Sequence, residues 1–140
     1  MREELRRILA AKLVVNPDLV VLTGLGLGTE QLGAEAAAAA DVGYVAVLAF
    51  PSQEQVWPAS TGERYRRLLE GATGQVLLQA KAPESKQSAG MALRRRDAWL
   101  ARHAHEAVVV WDGKDDRAGK LVRSLVVQLG EEQVWVVEPA

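Results

Sequence analysis

Residues 19–40 read LVVLTGLGLGTEQLGAEAAAAA. An apolar run, Leu19 to Leu22, leads through Thr23 into glycines at 24, 26 and 28, and then into an alanine-rich helix former. A short continuous apolar run fits a strand covered on both faces. Thr29 and Glu30 suit the start of a helix that opens straight out of the glycine turn. A buried strand handing over to a helix is the basic unit of an α/β fold, and this segment therefore decides the fold class.

The same alternation continues in both directions. Leu5, Ile8, Leu9 and Leu13 share one helical face, predicting an amphipathic helix over about 2–14, ended by Asn16-Pro17-Asp18. Strands are expected at 19–23, 44–50 (YVAVLAF), 75–79 (QVLLQ), 107–111 (AVVVW) and 133–137 (QVWVV). Helices are expected at 29–40, 61–70, 91–104 and 118–129, with loops at 51–60 and 80–90 and a polar turn at 112–117. Apolar strands separated by helices imply right-handed crossovers and parallel pairing. The expected architecture is a single domain, residues 1–140. It is a Rossmann-like three-layer α/β/α sandwich around a mostly parallel sheet of about five strands.

Bulk properties narrow the function. The chain has 140 residues, 49% hydrophobic and 25% charged, with a net charge of −1. That balance gives no overall attraction to nucleic acid or to an anionic membrane surface. With no cysteine, disulfides, thiol catalysis and cysteine-bound metals are excluded. No apolar run approaches the ~20 residues of a membrane span, and the charged N-terminus does not read as a signal peptide. The expected location is the cytoplasm.

Two phosphate-binding fingerprints can be tested on spacing. Gly24, Gly26 and Gly28 form G-x-G-x-G, one residue short of the dinucleotide G-x-G-x-x-G, and no acidic residue closes the strand near Phe50. Gly113 to Leu121 (GKDDRAGKL) resembles a P-loop, but five residues separate its glycines and Leu121 stands where magnesium binding needs Ser or Thr. Neither an NAD fold nor an NTPase loop is supported. The glycine turn still places unpaired N–H groups and a helix dipole where a phosphate would sit, and a tight turn alone is the competing explanation.

Three further segments belong with the loop. Phe50 to Trp57 (FPSQEQVW) carries Gln53 and Trp57, an amide and an indole suited to a base or sugar. Arg94-Arg95-Arg96-Asp97 lies on a helix, so one or two arginines are expected to face the cleft. Trp111-Asp112-Gly113 and Ala118-Gly119-Lys120 open another helix. Assembled, these residues resemble the YpsA-like proteins of the SLOG superfamily, relatives of the DNA-processing protein DprA and the LOG enzymes. The likeness rests on Leu27-Gly28-Thr29-Glu30 with Ala34-Glu35 and on Phe50-Pro51-Ser52-Gln53-Glu54-Gln55-Val56-Trp57. Arg64-Tyr65, Arg96-Asp97-Ala98-Trp99-Leu100 and Trp111-Asp112 complete it. It covers about residues 20–125.

The resemblance implies a nucleotide or ADP-ribose-type ligand and a sensor or regulatory role. Gly24, Gly26, Gly28, Thr29 and Glu30 would form the loop site, and Arg96 with Asp97 would match the family's Arg-Asn pair. Gln53 and Trp57 would cover the base or sugar, and Asp112 and Gly119 would complete the cleft. It also implies a homodimer. The sequence departs from the family in opening at the first helix, where YpsA-like proteins begin with a strand, and in replacing Asn with Asp97, an acceptor-only group.

Glu30 is the candidate catalytic residue, as an acceptor for ribose hydroxyls or a general base. A LOG-like nucleotide N-glycosidic hydrolase is the alternative this opens, although the LOG glutamate position is Leu32 here. A second alternative is a regulatory interaction protein with a vestigial pocket. His103 and His105 have no acidic ligand in register, so no metal or cofactor is implied beyond the nucleotide-like ligand. The overall charge argues against nucleic acid as a partner despite the arginine cluster.

Overall fold

The computed structural model describes residues 1–139. The elements run α1 (Arg2–Val15), β1 (Val20–Thr23), α2 (Thr29–Ala39), β2 (Gly43–Leu48), α3 (Ala59–Gly71) and β3 (Gly74–Leu77), then α4 (Lys86–His103), β4 (Ala107–Val110), α5 (Asp116–Leu129) and β5 (Val134–Val137). Single 3-10 turns occur at Gln53–Val56 and Glu131–Gln133. The expected alternation of helix and strand is present, and every strand pairing is parallel.

The ladders form two sheets, β1-β2-β3 and β4-β5, where the sequence suggested one of about five strands. Apolar runs identify strands but carry no signal for which strands share hydrogen bonds. The chain groups into two compact units, Met1–Asp97 and the residues from Ala98 onward. The boundary falls inside α4.

In the first unit β2 is central, with Ala46 opposite Thr23 on one side and Gln75 on the other. Its core gathers Leu25, Ala34, Ala37, Val42, Tyr44, Ala46, Leu48 and Tyr65, with Leu9 and Leu13 of α1 packed against it. The alanine tract is functional in packing: Ala34, Ala36 and Ala37 are completely buried, and such small side chains let α1 lie close against α2.

Helix α4 starts five residues before the position expected at Met91. The stretch that reads as loop contains a cap: Ser85 Oγ accepts the Ser88 N–H at 3.1 Å, and Ser88 Oγ donates back to the Ser85 carbonyl at 3.0 Å. Likewise α5 starts at Asp116 because Asp115 caps it, accepting from the Ala118 N–H at 3.0 Å. In the second unit α5 packs on the β4-β5 pair.

Tyr65, 1% exposed, meets Trp57 edge-on with ring centroids 5.4 Å apart. Burial, reinforced by the negative charge of Glu54 and opposed by Arg96, pushes its phenol up from 10.0 to about 12. The neutral phenol therefore contributes stability that is complete below pH 10 and is lost as pH rises through about 12. Burial moves Tyr44 in the same direction. The denaturation midpoint is expected to fall across that alkaline window, and Tyr65→Phe is expected to flatten the fall. An equal fall in the variant would assign it to another group.

Candidate functional site

The site begins where β1 ends. Thr23, 5% exposed, donates its hydroxyl to the Glu30 carbonyl at 3.1 Å and accepts the Leu25 N–H at 3.1 Å. One hydroxyl thus closes the turn between the strand and the first turn of α2. Leu25 takes a left-handed φ of 54°, unusual for a branched side chain, and is fully buried. Its carbonyl accepts from the Gln31 amide at 3.1 Å. Burial and these two hydrogen bonds hold the backbone where local preference would not.

The three glycines serve two different purposes. A Cβ on Gly24 would lie 2.5 Å from Glu30 Oε2 and 2.6 Å from Arg96 Cζ, and one on Gly26 would lie 2.6 Å from Glu30 Oε1. These positions are glycine because side chains of this chain lie against them. Gly28 is different. Its would-be Cβ meets nothing within 4 Å, but its backbone, at φ 87° and ψ −121°, is in a region open essentially to glycine alone. Gly28 begins α2 without a side-chain cap, and both Gly28 and Thr29 are exposed. The first N–H groups of α2 therefore have no capping side chain.

Arg96 reaches this loop from α4. Ala89, Ala92 and Arg96 are spaced i, i+3, i+7 and share the inward face of the helix, whereas Arg94 and Arg95 are exposed. The Arg96 side chain is 9% exposed. It donates to the Gly24 carbonyl at 3.4 Å, to Glu30 Oε1 at 3.3 Å, and to Asp97 Oδ1 at 3.1 Å. Glu30 Oε2 accepts the Gly24 N–H at 2.8 Å. One guanidinium thus faces two carboxylates.

Gln53, 3% exposed, is tied to the same turn by a 3.0 Å bond from Nε2 to the Gly24 carbonyl. Its Oε1 is buried without a hydrogen-bond partner among the described residues, as is Gln31 Oε1. The fold therefore brings Gly24, Gly26, Glu30, Gln53, Arg96 and Asp97 together, with Gly28 and Thr29 at the exposed end. Trp57 is packed on Tyr65. Asp112 and Gly119 lie in the second unit with partners of their own. Asp112 accepts from the N–H groups of Asp115 and Lys114, which lower its carboxyl below the usual range, and a Cβ on Gly119 would touch the Trp111 ring at 3.0 Å.

Thr23, Leu25 and Gln31 escaped the sequence reading. Gln31 carried the only usable signal, a polar residue on the inward stripe of an apolar helix. Arg64 and Glu35, distant in sequence, form an ion pair through both Nε and Nη2, joining α3 to α2. Among the described residues no group of three or more His, Cys, Asp or Glu side chains could hold a metal ion. Among the described residues no helix is long and apolar enough to cross a membrane. No protein-family model matches this chain, and no curated protein matches it.

Proposed function

We propose that the first unit binds a phosphate-bearing nucleotide or an ADP-ribose-type ligand at the start of α2, in a sensing or regulatory role. The observation that carries this reading is the uncapped, exposed helix start at Gly28 and Thr29, followed at once by Glu30, whose carboxylate is held by the buried Arg96 guanidinium. Uncapped N–H groups, the positive end of a helix dipole and a nearby arginine are the components of an anion site. Gln53 Oε1, buried and unpartnered among the described residues, supports it by offering an acceptor to a ligand hydroxyl or amine. Kinship with the YpsA-like SLOG proteins, a Rossmann-type sandwich around one parallel sheet, and a homodimer are proposed with it.

The test is thermal unfolding with AMP, ADP and ADP-ribose. A ligand that binds only the folded protein, at a hundredfold excess over its Kd, adds about 2.7 kcal/mol and raises the midpoint by several degrees. At least one of the three is expected to do so. If none shifts the midpoint at millimolar concentration, the nucleotide reading is wrong.

A further inference from the structure

We propose that the Glu30 carboxylate is the resident anion of the glycine turn, and that a ligand phosphate enters by displacing it. This rests on the nucleotide-binding reading above and concerns how that site is loaded.

The donors around Glu30 are those a phosphate uses. Oε2 takes a main-chain N–H from Gly24 at 2.8 Å, and Oε1 takes an arginine Nη2 at 3.3 Å. Backbone N–H groups of a glycine-rich turn combined with a guanidinium make a general oxyanion cradle. The shape of the turn agrees. The carboxylate lies so close over Gly24 and Gly26 that a Cβ on either would come within 2.6 Å of a carboxylate oxygen. Two of the three loop glycines thus accommodate an anion that the chain supplies itself.

The pair is also asymmetric. The Glu30 side chain is 36% exposed and the Arg96 side chain 9%. The carboxylate can swing into water at little desolvation cost, whereas the guanidinium remains fixed in the cradle. Charge makes the exchange necessary. With Asp97 also on the guanidinium at 3.1 Å, Arg96 is already opposed by two negative groups. Adding a phosphate beside both would place three anions around one cation at close range.

A second, independent feature points to the incoming molecule. Gln53 is 97% buried by its 3% exposure, and its amide is anchored on Gly24 through Nε2, so its unpartnered Oε1 lies at the same turn. The ligand therefore brings an oxyanion for Gly24 and Arg96 and a hydroxyl or amine donor for Gln53. A nucleoside phosphate carries both. Glu30 then sets a threshold: only a ligand whose phosphate outcompetes an internal carboxylate occupies the loop.

The experiment is calorimetric titration of the wild-type chain and E30Q with ADP and, separately, with inorganic phosphate. E30Q keeps an oxygen for the Gly24 N–H but removes the charge. It is expected to bind both probes about tenfold more tightly. Unchanged affinity would overturn the displacement. Weaker ADP binding would also overturn it, assigning Glu30 to a ligand hydroxyl and leaving the nucleotide reading intact. No ADP binding by either protein would defeat both. Should E30Q fail to fold, the wild type suffices: the Glu30 Cδ and Gly24 amide resonances are followed by NMR as ADP is added. Both should move to new positions at saturation, and unmoved Glu30 Cδ in an ADP-saturated protein overturns the proposal.

Discussion

Arg96→Met should destabilise the protein by about 2 kcal/mol and abolish ADP binding together. The loss has a local cause. Arg96 is the cation shared by Glu30 and Asp97 and a donor to the Gly24 carbonyl. Without it, two carboxylates face each other across a buried turn. Removing one partner of a fully buried pair costs about 3–5 kcal/mol, but Glu30 is 36% exposed and Asp97 53%, so water recovers part of the cost. A double substitution with Glu30→Gln should restore some stability, because the repulsion disappears with the charge. Urea denaturation of the two single variants and the double variant measures this coupling, expected at about 1 kcal/mol. Additive losses would mean that the ion pair does not hold the loop.

Leu25→Ala should be more damaging still, by about 3 kcal/mol, lowering the thermal midpoint by roughly 10 °C. Leu25 is 0% exposed and belongs to the main core cluster of the first unit. Its side chain anchors the turn from beneath, while its N–H and carbonyl are fixed by Thr23 and Gln31. Losing the side chain leaves a cavity and releases the force that holds φ at 54°. The consequence should reach the site: Gly24 and Gly26 flank Leu25, so affinity for ADP should fall along with stability. Leu25→Gly relieves the backbone strain without restoring the packing, and should remain less stable than wild type. A Leu25→Gly protein as stable as wild type would show that strain, and not burial, dominates there.

The fold class was legible because strand and helix leave different periodicities. Each of the five strands overlaps an apolar run, and the alanine tract packs as a helix face. Element ends were less legible where a cap decided them. Ser85 and Asp115 each start a helix through one side-chain oxygen, and both lie in stretches that read as loop. Which strands pair was not legible at all, since one parallel apolar strand presents the same pattern whichever neighbour it hydrogen-bonds with.

At the site, the sequence singled out the glycine turn, Glu30, Gln53 and Arg96 as candidates, and the structure brings them together. It assigned them a common purpose, the approach of a ligand. Spacing along the chain could not reveal that Gly24 and Gly26 lie under the side chains of Glu30 and Arg96, because Arg96 is more than sixty residues away in sequence. Nor could it distinguish Gly28, which is needed for its backbone angle, from the two glycines needed for space.

By itself, then, the sequence determined the α/β alternation, the strand-to-helix turn at residues 23–30 and the absence of cysteine chemistry. Each follows from local pattern or composition. Only the tertiary structure decided which of three consecutive arginines faces inward, which amide grips the turn, and that the loop's charge is balanced from within. Those depend on distances between segments remote in sequence, where electrostatics and packing act through space and leave no periodic trace in the chain.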